Sequence, residues 1–187
     1  MSAGRKKGDP LDRYDTPPEV TRAFLAAWGG DLLGALDVLE PAAGSGALLG
    51  PLAECWPMSS ISAWDIEPRM DEVAQWDFLT ETPNEDDGEY DVVITNPPFR
   101  LAEQFLRWAM IFVRPGGYVV LLLRAGFLES KARRNVLTQY PPLEVWFLRS
   151  RPKFTGPNTD GGTDTAMYAW FVWRKGDRPD HFEGRII

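Results

Sequence analysis

The 187-residue sequence has a single cysteine, Cys55, and a single histidine, His181. One cysteine excludes an internal disulfide and a cysteine-rich zinc site. Because the one histidine lies in a polar tail, we expect neither a histidine metal cluster nor a Ser-His-Asp triad. No apolar run approaches the roughly 20 residues of a membrane span, and the basic residues 1–8 lack the apolar core of a signal peptide. We therefore expect a soluble cytoplasmic protein whose chemistry uses no metal ion.

Length and composition predict one domain. A chain of 187 residues with 44% hydrophobic side chains can bury a sizeable core without a second domain. We expect a basic flexible segment over residues 1–13, a single domain over 14–175 and a polar tail over 176–187. The net charge of -7 argues against non-specific binding to nucleic acid unless positive charge is concentrated locally.

Positive charge is in fact concentrated between residues 124 and 153, where acidic residues are few. The basic side chains there are Arg124, Lys131, Arg133, Arg134, Arg149, Arg151 and Lys153. Negative charge gathers in residues 81–91, which are typical of a polar loop. The basic set is either a solvated helix face with strand ends or a surface that faces phosphate groups.

Alternating strand and helix patterns predict an α/β fold. Strands are predicted at residues 35–39, 61–64, 73–76, 91–95, 118–123, 143–148 and 166–173. Helices are predicted at residues 19–28, 46–56, 101–113 and 130–140, with Thr16 able to cap the first one and Pro17 to open its first turn. The last two strands have no helix between them, so we expect an antiparallel hairpin and a mostly parallel sheet with a reversed edge.

Asn96, Pro97, Pro98 and Phe99 follow a short apolar strand at residues 90–93. Ligands bind at the carboxyl ends of strands in an open α/β sheet. Two prolines withdraw two N–H donors and leave carbonyls that can accept, so the amide, the carbonyls and the ring together could hold a flat exocyclic amine. The alternative is a strand-to-helix turn with an asparagine cap. The four residues resemble the Asn-Pro-Pro-Phe or Asn-Pro-Pro-Tyr catalytic loop of S-adenosylmethionine-dependent amino-methyltransferases.

A loop with two glycines, Glu40-Pro41-Ala42-Ala43-Gly44-Ser45-Gly46, joins the first predicted strand to the next helix. Glycines there let the backbone approach a ligand closely. The sequence has no G-x-x-x-x-G-K-[ST] motif, so a phosphate cradle for ATP is unsupported. The carboxylate of Glu40 would repel a pyrophosphate but attract the cationic methionine end of S-adenosylmethionine. The segment is therefore either a cofactor loop or an ordinary turn.

Two acidic residues follow later strands at positions that suit a bound nucleoside. Asp65, followed by Ile66, ends the second strand, about where doubly wound nucleotide folds place a carboxylate that accepts both ribose hydroxyls. Asp77 and Phe78 follow the third strand and suggest an adenine pocket, in which Asp77 accepts the amine and Phe78 packs nearby. Each acid alone is more often a surface residue, and their order along one sheet favours the nucleoside site.

These motifs together make the chain resemble N6-adenine DNA methyltransferases. The resemblance spans roughly residues 14–173 and includes Tyr14-Asp15-Thr16-Pro17, which is similar to the amino-terminal cofactor segment of those enzymes. It implies a Rossmann-like class I methyltransferase fold with a mostly parallel seven-stranded sheet and an antiparallel edge strand. The S-adenosylmethionine-binding residues that it implies are Tyr14, Thr16, Pro17, Glu40, Pro41, Ala42, Gly44, Gly46, Asp65, Ile66, Asp77, Phe78 and Asn96.

The resemblance also implies the chemistry of Asn96, Pro97, Pro98 and Phe99. The target base would be flipped from its stack, Phe99 would stack on it, and the Asn96 oxygen and Pro97 carbonyl would accept the N6 hydrogens. Direct displacement at the sulfonium methyl needs alignment and electrostatic matching, but no metal and no covalent intermediate. The expected substrate-binding residues are Phe99 and Phe154 on the base, and Arg133, Arg134, Arg151 and Lys153 on phosphates.

The resemblance implies DNA as the partner. The chain departs from longer members of that family because no target-recognition domain is recognisable, so we expect relaxed sequence specificity. Compact members of this kind are often encoded by phages or prophages. An RNA adenine or a protein glutamine presents the same planar NH2 group, although the glutamine-modifying branch usually has tyrosine in place of Phe99 and an extra amino-terminal domain. A relative without catalysis, which binds a nucleotide or a partner, is the third alternative.

Overall fold

The structure is a computed structural model that describes residues 13–80, 90–129, 131–156 and 165–187. Four expectations lie outside the described residues: the basic segment at 1–12, the acidic loop at 81–89, the predicted helix start at Ser130, and residues 157–164 of the loop that precedes the last predicted strand. No helix within the described ranges is long and apolar enough to cross a membrane.

An eight-stranded sheet forms the centre of the part of the chain that the structure describes. In chain order its strands are β1 (Asp37–Glu40), β2 (Ser60–Asp65), β3 (Ala74–Gln75), β4 (Tyr90–Thr95), β5 (Val113–Arg124), β6 (Glu144–Phe147), β7 (Tyr168–Arg174) and β8 (Glu183–Ile186). Their spatial order is β3-β2-β1-β4-β5-β7-β6-β8. The helices are α1 (Pro18–Trp28), α2 (Leu49–Cys55), α3 (Ala102–Phe112) and α4 (Arg134–Gln139), accompanied by short 3₁₀ turns.

Strands β1 to β5 run parallel to one another, whereas β7 runs antiparallel to both of its neighbours, β5 and β6. This topology confirms the predicted α/β fold, its mostly parallel sheet and the antiparallel pairing of the last two predicted strands. The reversed strand β7 lies inside the sheet, because β6 and β8 continue beyond it. The eighth strand, which the sequence did not predict, lies in the polar residues 176–187 and pairs in parallel with β6.

Two apolar layers cover the two faces of the sheet. Along β5, Val119 belongs to the cluster that contains α3 side chains, whereas Val120 belongs to the cluster that contains α1 and α2 side chains. Successive side chains of a strand point to opposite faces, so the helices sandwich the sheet. Burial of each large apolar side chain favours folding by roughly 1.5–3 kcal/mol, and this core fixes the strand ends that carry polar residues.

The predicted amino-terminal cap of α1 needs correction. Pro17 occupies the cap position without a side-chain hydrogen bond, and Pro18 is the first helical residue. The hydroxyl of Thr16 accepts a hydrogen bond from the Asn96 side chain. Thr16 therefore serves a long-range contact instead of the helix end.

The basic helix predicted over residues 130–140 is shorter than expected. Residues 131–133 form a 3₁₀ turn, and α4 follows with Val136 as its buried residue. Helices are stabilised in proteins mainly by packing of an apolar face. Because a single buried side chain gives α4 little such packing, the helix stays short.

Candidate active site at the carboxyl edge of the sheet

A pocket opens at the carboxyl ends of β1, β2 and β4, the edge where the sequence predicted a ligand. Its volume is about 880 Å³ including the space at its mouth that is open to solvent. The predicted cofactor residues that line it are Tyr14, Thr16, Pro41, Ala42, Gly44, Asp65, Ile66, Asp77, Phe78 and Asn96. Pro17, Glu40 and Gly46, which the resemblance also suggested, do not line it.

Asp65 fixes the glycine loop to the end of β2. Its Oδ2 accepts a hydrogen bond from the Gly44 N–H at 2.8 Å, and its Oδ1 accepts one from the Glu67 N–H at 2.8 Å. Gly44 has a φ of 53°, which glycine adopts without strain, and a Cβ there would lie 2.9 Å from Nη2 of Arg69. Burial raises the pKa of the Asp65 carboxyl, while the two N–H donors and Arg69 oppose that effect. A carboxylate has about four lone-pair sites, so Asp65 can still accept bonds from hydroxyl groups.

Glu40 ends β1 and supports the same loop from a buried position, with 1% of its surface exposed. Its Oε1 accepts a hydrogen bond from the Ala42 N–H at 3.3 Å, and the Thr95 hydroxyl lies near enough to the carboxyl to favour its ionised form. Burial raises the pKa of this carboxyl to about 8, so the group is mostly protonated at neutral pH. A protonated carboxyl carries no charge, so Glu40 would attract the cationic end of a ligand only if that ligand lowered the pKa of Glu40 enough to ionise it.

The pocket wall after β2 and β3 is mainly apolar. Ile66 and Trp76 line it with 48% and 41% of their surfaces exposed, and Phe78 lines it as a buried ring. Asp77 adds a carboxylate, of which Oδ1 accepts a hydrogen bond from the Leu79 N–H at 3.1 Å. A carboxylate beside aromatic and aliphatic surfaces suits a flat heterocycle that carries an amine.

The amino-terminal segment that precedes α1 lines the pocket and is tied to two loops. Arg13 pairs with Glu67 at 2.9 Å, and Asp15 pairs with Arg69. Asp15 also exchanges two backbone hydrogen bonds with Thr155, at 2.7 and 3.2 Å. Sequence reasoning missed both ion pairs, because partners separated by 54 positions leave no local pattern that relates them.

Asn96 follows β4, and its amide is held by that amino-terminal segment. Its Nδ2 donates to the Tyr14 carbonyl and to the Thr16 hydroxyl, both at 3.0 Å. Its Oδ1 is buried and has no hydrogen-bond partner among the described residues. Such unpaired atoms are rare and cost roughly 1–3 kcal/mol, so this oxygen is a candidate acceptor for a ligand. Pro98 lines the same pocket, and Pro97 is buried.

A second cavity, here called the arginine groove, begins at Phe99 and is also lined by Arg100, Arg124, Phe127 and Arg133. Arg100 lines the pocket as well, so the two cavities adjoin. The Cζ of Arg124 lies 5.0 Å from the centre of the Phe99 ring, and that of Arg133 lies 4.7 Å from the centre of the Phe127 ring. Guanidinium groups on aromatic faces combine positive charge with flat stacking surfaces, which suits a nucleotide.

The other predicted substrate residues lie outside both cavities. Phe154 is 5% exposed and packs against Tyr168 with ring centroids 4.9 Å apart, so it supports the aromatic cluster from within the core. Arg134, Arg151 and Lys153 are exposed and line neither cavity. Their contact with phosphates stays a prediction.

Three cavity residues that the sequence analysis did not select as site residues have recognisable positions. Trp76 directly precedes the predicted Asp77–Phe78 pair, Arg100 directly follows Phe99, and Arg124 is the last residue of β5. Ligands bind at the carboxyl ends of strands. The positions of these three residues, at or after such strand ends, could therefore have identified them as site residues.

No family model and no curated protein matches the chain. Solved structures do match it. A proposed class I S-adenosylmethionine-dependent methyltransferase from Listeria monocytogenes matches with a TM-score of 0.71 and 16% identity, over 97% of this chain and 68% of that protein. This chain has the class I methyltransferase fold.

Two further structures share the class I methyltransferase fold. A modification subunit of a proposed type I restriction enzyme from Vibrio vulnificus matches with a TM-score of 0.68 and 19% identity, over 98% of this chain and 48% of the subunit. A proposed RNA methyltransferase from Pyrococcus horikoshii matches with a TM-score of 0.62 and 16% identity, over 90% of this chain and 92% of that protein. The chain thus spans about two thirds of the Listeria protein and about half of the Vibrio subunit.

Proposed function

We propose that the protein transfers the methyl group of S-adenosylmethionine to the N6 amine of adenine in DNA. The observation that carries this proposal is the Asn96 oxygen, a buried acceptor without a partner among the described residues, in a residue that lines the pocket. An amine hydrogen would satisfy that oxygen. The class I methyltransferase fold supports the class of reaction.

The chemistry of the pocket fits S-adenosylmethionine. Asp65 offers a carboxylate to ribose hydroxyls, Asp77 offers one to the adenine amine, and Ile66 and Trp76 offer apolar surface to the adenine ring. When bound, S-adenosylmethionine supplies a methyl group that its positively charged sulfur activates for transfer.

The residues after β4 would orient the target amine. Oδ1 of Asn96 and the carbonyl of Pro97 would accept its two hydrogens, which directs the nitrogen lone pair away from them. Phe99 would stack on the base after it leaves the duplex. The contribution of the chain is then alignment, together with electrostatic matching to the positive charge that develops on the nitrogen.

The arginine groove supports a nucleic-acid substrate. Arg100, Arg124 and Arg133 place positive charge beside Phe99 in a chain whose net charge is -7, and such local concentration favours phosphate contacts. The restriction-modification structure from Vibrio favours DNA. The RNA methyltransferase from Pyrococcus, which this chain matches over nearly its whole length, makes an adenine in RNA the second candidate.

The proposal is tested by Asn96→Ala in a methyl-transfer assay with DNA and labelled S-adenosylmethionine. We expect the variant to fold and to bind the cofactor with an affinity near that of wild type by calorimetry, while methyl transfer is nearly lost; the thermal midpoint should fall, because the Tyr14 carbonyl and the Thr16 hydroxyl lose their donor. Asn135→Ala, on the exposed side of α4, is the matched control and should retain full activity. A rate above about a tenth of wild type for Asn96→Ala, which is less than roughly 1.4 kcal/mol of barrier, would rule out the role assigned to Asn96.

A further inference from the structure

The amide of Asn96 can present either its oxygen or its nitrogen to a ligand, and the amino-terminal segment selects between the two. Both hydrogens of Nδ2 are used, one by the Tyr14 carbonyl and one by the Thr16 hydroxyl. Rotation of the amide by 180° would bring Oδ1 against the Tyr14 carbonyl, which can only accept. It would also bury the NH2 group where Oδ1 now has no partner among the described residues.

We infer that Thr16 is a positioning residue: its hydroxyl fixes the plane of the Asn96 amide so that Oδ1 faces the target amine. This inference rests on the proposed function of Asn96. The Tyr14 carbonyl can only accept, so it alone ensures that the NH2 group and not the oxygen of Asn96 points to the segment. One hydrogen bond would still allow the amide plane to rotate about the side-chain bonds of Asn96. The Thr16 hydroxyl supplies the second fixed point, and with 2% of its surface exposed it has little freedom of its own.

The amino-terminal segment is held independently of Asn96, so the segment positions the amide and not the reverse. Asp15, between the two acceptors, is tied to Thr155 by backbone hydrogen bonds and to Arg69 by an ion pair. Directly after Thr16, Pro17 and Pro18 have restricted φ angles. Two fixed acceptors therefore meet one amide, the arrangement required to hold a reacting group in a single orientation.

The test is the isosteric variant Thr16→Val, which removes the hydroxyl and keeps the volume. We expect kcat to fall at least about tenfold, while the KM for DNA and the affinity for S-adenosylmethionine change less than about twofold. Thr16→Ser restores the hydroxyl and should recover most of the lost kcat. Thr21→Val is the matched control, since Thr21 is buried on α1 and its hydroxyl has no partner among the described residues; its kcat should be that of wild type.

A second readout does not depend on activity. Hydrogen exchange of the Asn96 side-chain NH2 group, assigned by its loss in Asn96→Ala, should be slow in wild type and at least tenfold faster in Thr16→Val. Unchanged exchange and unchanged kcat in Thr16→Val would overturn the inference, and so would a weakened cofactor affinity with unchanged kcat, which would make Thr16 a cofactor contact. If wild-type protein methylates no substrate, the proposed function fails, and the exchange measurement alone decides the orientation of the amide.

Discussion

Asp65 is the residue at which the local structure and the proposed cofactor site meet. Its carboxylate orders the glycine loop through the N–H groups of Gly44 and Glu67, and it lines the pocket. We expect Asp65→Ala to weaken binding of S-adenosylmethionine by on the order of 1.5–3 kcal/mol, the usual loss for hydrogen bonds to a charged group. Calorimetry measures this directly.

Asp71→Ala provides the matched control for Asp65. Asp65 ends β2, and Asp71 is exposed in the connection between β2 and β3. Its cofactor affinity should equal that of wild type. If Asp65→Ala binds the cofactor as tightly as wild type, the ribose contact lies elsewhere, and Glu67 is the nearest candidate.

Glu40 makes a prediction about pH. Burial raises the pKa of its carboxyl from an ordinary value of 4.5 to about 8 in the folded protein. Between these values the unfolded chain ionises Glu40 while the folded protein keeps it protonated, so a rise in pH through this window lowers the free energy of unfolding. Glu40→Gln removes this effect, since its amide does not titrate. At roughly 1.4 kcal/mol per pKa unit, the variant should gain a few kcal/mol relative to wild type by pH 8.

Urea unfolding of wild type and Glu40→Gln at matched pH values checks the Glu40 prediction. The stability of Glu40→Gln relative to wild type should rise steadily from pH 4.5 to pH 8, because all other groups titrate alike in both proteins. A difference that stays constant over this range would contradict the raised pKa of Glu40.

At the residue scale the sequence predicted side chains that sit in local motifs and missed those defined by distant partners. Asp65, Asp77 and Asn96 line the pocket, as expected of polar residues at the ends of parallel strands. Asp15 and Arg69 look like ordinary surface charges until the fold brings them together. Glu40 was expected to contact a ligand, but it does not line the pocket. Its buried orientation depends on how the loop after β1 turns, and no local sequence pattern shows that.

The glycine loop is the element on which the pocket depends most. Gly44→Ala forces an alanine into the left-handed region, at about 1–2 kcal/mol, and displaces the Arg69 guanidinium that pairs with Asp15. We expect lower stability and at least tenfold weaker binding of S-adenosylmethionine. Gly50→Ala is the control, because Gly50 lies in α2 with open space around it; its cofactor affinity should equal that of wild type, and its stability should change by less than that of Gly44→Ala.

Thermal unfolding and calorimetry of the two glycine variants give the comparison. The larger loss of stability and the loss of cofactor affinity are expected only in Gly44→Ala. Equal effects of the two substitutions would show that the backbone conformation at Gly44 has no special role.

At the element scale the strong apolar patterns predicted their structures, and the weak ones did not. Strands β4 and β7 are apolar runs and were identified within two residues of their observed bounds, whereas β5 begins at Val113, five residues before its predicted start. Strand β8 is exposed along its whole length, so it lacks the apolar pattern by which strands are recognised. Its place beside β6 depends on the free edge that β6 offers, which is a property of the assembled sheet.

At the scale of the whole molecule, we propose that the pocket binds the cofactor and that the adjoining arginine groove binds the nucleic acid. The pocket brings together carboxylates and apolar surface for the cofactor, and the groove brings together arginines for the nucleic acid, with Asn96 and Phe99 between the two functions. Phosphate contacts provide affinity, whereas base-edge contacts provide sequence information. We therefore propose that contacts between the groove and phosphates provide much of the affinity, so that binding weakens steeply with salt.

The most direct test of the account follows one isotopic label from cofactor to product. Purified protein is incubated with S-adenosylmethionine carrying a deuterated methyl group, together with unmethylated DNA, RNA or a protein extract in parallel, and the products are digested and analysed by mass spectrometry. The account predicts deuterated N6-methyladenine from DNA, formed by wild type and absent with Asn96→Ala. Label only in RNA or in glutamine would contradict the proposed substrate, and the absence of label from all three would contradict the proposed activity.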